Sequence, residues 1–125
     1  MSLIFANKGL KISTEDFSGK TDYLKFEGFI DKSTISDLND FFRFYLDSLF
    51  KPVQVFDLSQ LQYINSEGIG FLMMTSAHFK KTASFFIYAP SPQVLDVLQA
   101  VGLDKLIEIL PDRMSLEAQI NSLNI

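Results

Sequence analysis

The sequence predicts an α/β fold built on a mixed central sheet, and three features carry that prediction. From Val53 onward, short apolar runs alternate with segments of helical spacing, the pattern of parallel strands joined by right-handed crossovers. Two earlier runs, Lys11 to Phe17 and Tyr23 to Ile30, flank Ser18-Gly19-Lys20, a hairpin turn that adds an antiparallel pair. The length of 125 residues suits one compact domain with a real core, but not two.

The elements follow in order. In the second strand Tyr23, Lys25 and Glu27 alternate with Leu24 and Phe26, and Gly28-Phe29-Ile30-Asp31 leads out of it. Ser33 is the expected N-cap of a helix reaching about Phe50, with Ile35, Leu38, Phe42, Tyr45, Leu46 and Leu49 as its apolar stripe. Val53 to Leu58 is a short buried strand bounded by a polar turn. Leu61-Gln62-Tyr63-Ile64 leads to Asn65-Ser66-Glu67-Gly68, the start of a helix running to about Thr82. Ser84 to Ala89 is a further strand. Ser91-Pro92 opens a helix that stops near Gly102, with proline at the first helical position. Leu106 to Leu110 reads as a last strand and Arg113 to Leu123 as a last helix. The expected order is β-β-α-β-α-β-α-β-α, in a single domain over residues 1–125 with its core at about 11–123.

Composition narrows the function. A net charge of -4 and the lack of any basic run argue against a grip on nucleic acid, which needs clustered Lys and Arg. There is no cysteine, so no disulfide, thiol nucleophile or Cys metal site. No apolar stretch has the length for direct membrane insertion and the start lacks a signal-peptide pattern, so the expected location is cytoplasmic. The single histidine, His78, sits in a helix beside Lys80 and Lys81, a surface setting rather than a catalytic one. Asp37, Asp40 and Asp47 read as a solvated helix face. No P-loop, dinucleotide loop or metal spacing is present, and Gly68-Ile69-Gly70 is only a fragment of such a loop. No enzyme activity, cofactor or metal is expected.

The informative stretch runs from Val55-Phe56-Asp57-Leu58 to Asn65-Ser66-Glu67-Gly68-Ile69-Gly70. On spacing alone the plainer reading makes Ser66 a helix cap and Asp57 a strand end. Against it, Gly68 and Gly70 fall in the first turn of a helix, where each costs about 0.5–1 kcal/mol relative to alanine. Glycine there leaves the Ser66 hydroxyl approachable by another protein.

These residues resemble the signature of STAS domains of the anti-sigma-factor-antagonist type: strand-Asp-Leu, a spacer, then Asp-Ser-x-Gly-Leu/Ile-Gly. Asp57-Leu58 and Asn65 to Gly70 match it nearly position for position. Gly28-Phe29-Ile30-Asp31 is similar to the family's Gly-x-Leu-Asp, and Ser91-Pro92 through Gly102-Leu103 to its later segment. The likeness spans about Lys11 to Leu123. It implies that Ser66 is phosphorylated by an anti-sigma factor/serine kinase that the unmodified chain binds, and that a PP2C-type phosphatase restores it. The surrounding switch site would be Asp31, Asp57, Asn65, Glu67, Gly68 and Gly70. The family usually carries Asp before the phosphoacceptor; Asn65 keeps a hydrogen bond but not the charge. A STAS subunit of a membrane transport or other signalling complex, not phosphorylated, is the alternative.

A phosphate on Ser66 would sit at a helix N-terminus, which favours an anion. On the following helix Ile69, Leu72, Met73 and Ser76 are expected to face the sheet. Phe71, Met74 and His78 would face a partner, and aspartate at Phe71 should then leave folding intact while weakening binding.

Overall fold

The computed structural model describes residues 1–123; the last two residues of the expected domain, 124 and 125, lie outside the described residues. Six strands form one sheet in sequential order: β1 (Ser2–Ala6), β2 (Leu10–Glu15), β3 (Thr21–Ile30), β4 (Val53–Ile64), β5 (Ser84–Tyr88) and β6 (Glu108–Leu110). The pairs β1–β2 and β2–β3 are antiparallel; β3–β4, β4–β5 and β5–β6 are parallel. Helices α1 (Ile35–Tyr45), α2 (Ser66–Phe79) and α3 (Pro92–Ala100) connect the parallel strands, and α4 (Arg113–Ser122) follows β6. The expected order stands, with β1 added ahead of it.

Right-handed crossovers between neighbouring strands put α1, α2 and α3 on one face. They close a core with Leu24, Phe26, Phe56, Leu58 and Ile87 of the sheet. The opposite face holds a smaller cluster, in which Leu116 of α4 packs with Tyr23, Val53, Val55, Phe86 and Leu110. Strand alternation explains the division, since successive side chains of β3 and β4 point to opposite faces.

Several boundaries differ from the sequence reading, each for a local reason. Strand β4 does not stop at Leu58. β3 is ten residues long and pairs with it as far as Ile30↔Ile64, while register shifts take up one extra β4 residue at Leu58-Ser59 and another at Gln62. The N-cap position of α1 is Thr34 rather than Ser33, but its hydroxyl caps no helical N–H; it donates to the Phe29 carbonyl at 2.9 Å and accepts from the Asp31 N–H at 3.0 Å, which holds the turn before the helix. It ends at Tyr45 and tightens into a 3₁₀ turn, Leu46–Ser48, ahead of Pro52. Ser91 precedes Pro92 as expected, but its hydroxyl donates to the Leu61 carbonyl at 2.6 Å, tying α3 to the part of β4 beyond the end of β5.

The largest correction concerns Phe71. It is 2% exposed, because α2 packs on α1 as well as on the sheet. The inward residues of α2 are Gly68, Ile69, Phe71, Leu72, Thr75 and Phe79, while Met73 is exposed. Phe26, Phe42, Phe56 and Phe71, from β3, α1, β4 and α2, lie with every pair of ring centroids between 4.9 and 6.3 Å. Phe71→Ala should therefore cost about 3–5 kcal/mol in denaturant unfolding, and Phe71→Asp should prevent stable folding rather than leave it intact.

Candidate functional site

The site lies at the C-terminal ends of β3 and β4, where α2 begins. The Ile30↔Ile64 pair ends the ladder, and the Asn65 N–H donates to the Ile30 carbonyl at 3.0 Å. Asn65 is the N-cap: its Oδ1 accepts from the Gly68 N–H at 2.9 Å. That bond satisfies one of the donors left open at a helix start. Ser66 is then the first helical residue rather than the cap. Its side chain is exposed, and its hydroxyl makes no hydrogen bond among the described residues.

Gly68 is needed for packing. A Cβ there would lie 2.5 Å from Ile64 Cγ1 and 2.7 Å from Ile30 Cγ2, so the absent side chain lets α2 settle on the two strand ends. Gly70 is different: it is exposed, and a Cβ built on it meets nothing within 4 Å.

Asp31 and Glu67 flank Ser66. Asp31 follows Ile30 on the neighbouring strand, and its carboxylate accepts from the Ser33 N–H at 2.9 Å and from the Ser33 hydroxyl at 2.6 Å. The Ser33 hydroxyl, more than any other group, holds the Asp31 carboxyl below its usual range, so Asp31 stays charged at neutral pH. Glu67 is exposed beside Ser66.

Asp57 does not join them. Register sets it opposite Lys25, five β3 residues before the Ile30↔Ile64 pair, about 16 Å along the strand. It also faces the other side of the sheet. There it is 5% exposed, accepting from Tyr23 Oη at 2.6 Å and from the Ser59 N–H at 2.9 Å. Burial first, then this carboxylate, push the Tyr23 hydroxyl well above its ordinary range. The Asp57 side chain holds the turn of β4 at Ser59, a structural role.

Of the residues expected to meet a partner, Met74 and His78 are exposed at the edge of a groove between α1 and α2, and Phe71 lies in its floor. Glu67 and Gly70 line its near end. The sequence reading missed the other wall, Asn39 and Arg43 of α1 and Asp47 of the 3₁₀ turn that follows it. The i, i+4 spacing of Asn39 and Arg43 marks one exposed helix face and was the available signal. Asn65→Ala should cost about 0.5–2 kcal/mol in thermal or denaturant unfolding, while Asn65→Asp should keep the cap and the stability.

No helix among the described residues is long and apolar enough to cross a membrane. Comparison with known structures finds the same fold in an anti-sigma factor antagonist from Mycobacterium paratuberculosis. That match has 24% identity and a TM-score of 0.77, covering 92% of this chain and 97% of the other. The unphosphorylated anti-sigma factor antagonist SpoIIAA matches at 14% identity and a TM-score of 0.67, covering 89% and 96%. The phosphorylated form of SpoIIAA, a Bacillus cell-fate determinant, matches at 14% and 0.60, covering 86% and 97%. No curated protein matches the chain. The family model described as Mlab, STAS domain matches residues 13–111. With that match across most of its length, and the sheet and helices already described, the chain belongs to the STAS domain family.

Proposed function

We propose that this chain is an anti-sigma factor antagonist, a cytoplasmic protein-binding module rather than an enzyme, switched by phosphorylation of Ser66. In this reading the unmodified chain binds an anti-sigma factor/serine kinase, the phosphorylated chain releases it, and a PP2C-type phosphatase restores the hydroxyl. The observation that carries the reading is the Ser66 side chain, exposed at the first position of α2 and without a hydrogen bond among the described residues. Structural likeness to anti-sigma factor antagonists supports it.

The physical chemistry agrees with such a switch. A phosphate at the start of α2 gains from the helix dipole, so the fold tolerates it. A partner surface matched to a neutral hydroxyl does not. It would have to desolvate a group carrying about -1.5 to -2 charges, beside the carboxylates of Glu67 and Asp31. A tenfold loss of affinity needs only about 1.4 kcal/mol, and one unit-charge pair at about 8 Å is worth roughly 0.5–2 kcal/mol across effective dielectrics of 80 to 20. Local charge is enough, and no large motion is required.

A second reading, a STAS subunit of a membrane transport or other signalling complex that is never phosphorylated, is favoured by one observation. The residue before Ser66 is neutral, and its side chain is committed to the Gly68 N–H. Incubation with ATP and candidate anti-sigma factor/serine kinases, read by intact mass, separates the two. The switch predicts a single added phosphate, lost in Ser66→Ala, and at least tenfold weaker kinase binding once it is present. A chain that no such kinase modifies, yet that forms a stoichiometric complex with a transport ATPase, would instead support the second reading.

A further inference from the structure

We infer that the partner continues from Ser66 onto the bare backbone of Gly70 and sets an apolar side chain into the groove between α1 and α2. The inference rests on the reading of Ser66 as the docking point. Gly70 follows Ser66 by four residues, so the two are neighbours on one helix face, about 5–6 Å apart. Met74 and His78 continue the same row, both exposed.

The fold itself gives Gly70 no reason to be glycine. Its φ is not left-handed, a Cβ there would touch nothing within 4 Å, and glycine inside a helix weakens it. Gly68, two residues earlier, has the packing reason that Gly70 lacks. What glycine does provide at Gly70 is close approach to the helix backbone one turn beyond Ser66, at the groove's near end. That groove has a volume of about 640 Å³ and a floor of Phe42, Leu46 and Phe71.

The occupant follows from continuity. Glu67, the immediate neighbour of Ser66, lines the groove's near end, so a protein whose active site reaches the Ser66 hydroxyl also covers the groove mouth. The rim carries Arg43 against Asp47 and Glu67, charges of both signs, so the apolar floor and the bare backbone do the selecting. The occupant is a segment of the anti-sigma factor/serine kinase presenting one bulky apolar side chain.

The test uses the kinase that modifies Ser66, titrated calorimetrically against Gly70→Ala, Gly70→Leu and Met74→Ala in a Ser66→Ala background that cannot be phosphorylated. Gly70→Ala should melt no lower than its parent and bind more weakly. Gly70→Leu should lose about tenfold or more in affinity, equivalent to about 1.4 kcal/mol, and Met74→Ala should bind less tightly. Should the leucine variant melt lower, the alanine variant carries the test, because its added methyl meets open space. Parental affinity in both Gly70 variants, with Ser66 still modified in the otherwise unchanged chain, overturns the groove and leaves the Ser66 reading standing. A chain neither phosphorylated nor bound by any such kinase overturns both.

Discussion

Four phenylalanine rings hold the start of α2 in place. Phe26, Phe42, Phe56 and Phe71 come from two strands and two helices, and each touches the other three. Loss of one ring removes contacts from three partners at once, at a cost comparable to a large part of the roughly 5–15 kcal/mol that separates folded from unfolded domains. α2 cannot slide or tilt without breaking that packing. Its first turn is fixed a second time, by Gly68 seated on Ile30 and Ile64 and by Asn65 bound to the end of β3. The backbone that carries Ser66 is therefore held on a rigid base, although the hydroxyl makes no hydrogen bond among the described residues.

The parallel half of the sheet was legible in the sequence because apolar runs of strand length alternate there with helical stripes. β1 was not, although its signal was present. Asn7 turns the chain by accepting from the N–H groups of Gly9 and Leu10, and an Asn-x-Gly step after an apolar run is a turn signature. The long β4 was hidden by the polar Ser59-Gln60 step: an extra β4 residue at Leu58-Ser59 shifts the register before Gln60 pairs with Glu27, which a strict alternation rule rejects.

The site was legible in part. A motif is written along the chain, so Asp57 and Ser66 looked like neighbours. Pleating and strand length separate them, one on each side of the sheet. The outward and inward faces of α2 were misassigned because a helix packed only on a sheet buries one stripe, whereas α2 also buries Phe71 against α1. Asn65 was noticed as a departure from the family pattern; its capping bond is one that aspartate would make equally, so the cap accounts for a short side-chain acceptor there and not for the loss of charge.

The separation of Asp57 from Ser66 has an evolutionary consequence. Tyr23, Asp57 and the layer under α4 form a cluster that shares no side chain with the start of α2. Natural selection can thus rework α4, or recruit that flank for fusion to another module, while the start of α2 stays unaltered. A lineage built on this scaffold gains freedom to diversify one flank without disturbing the other.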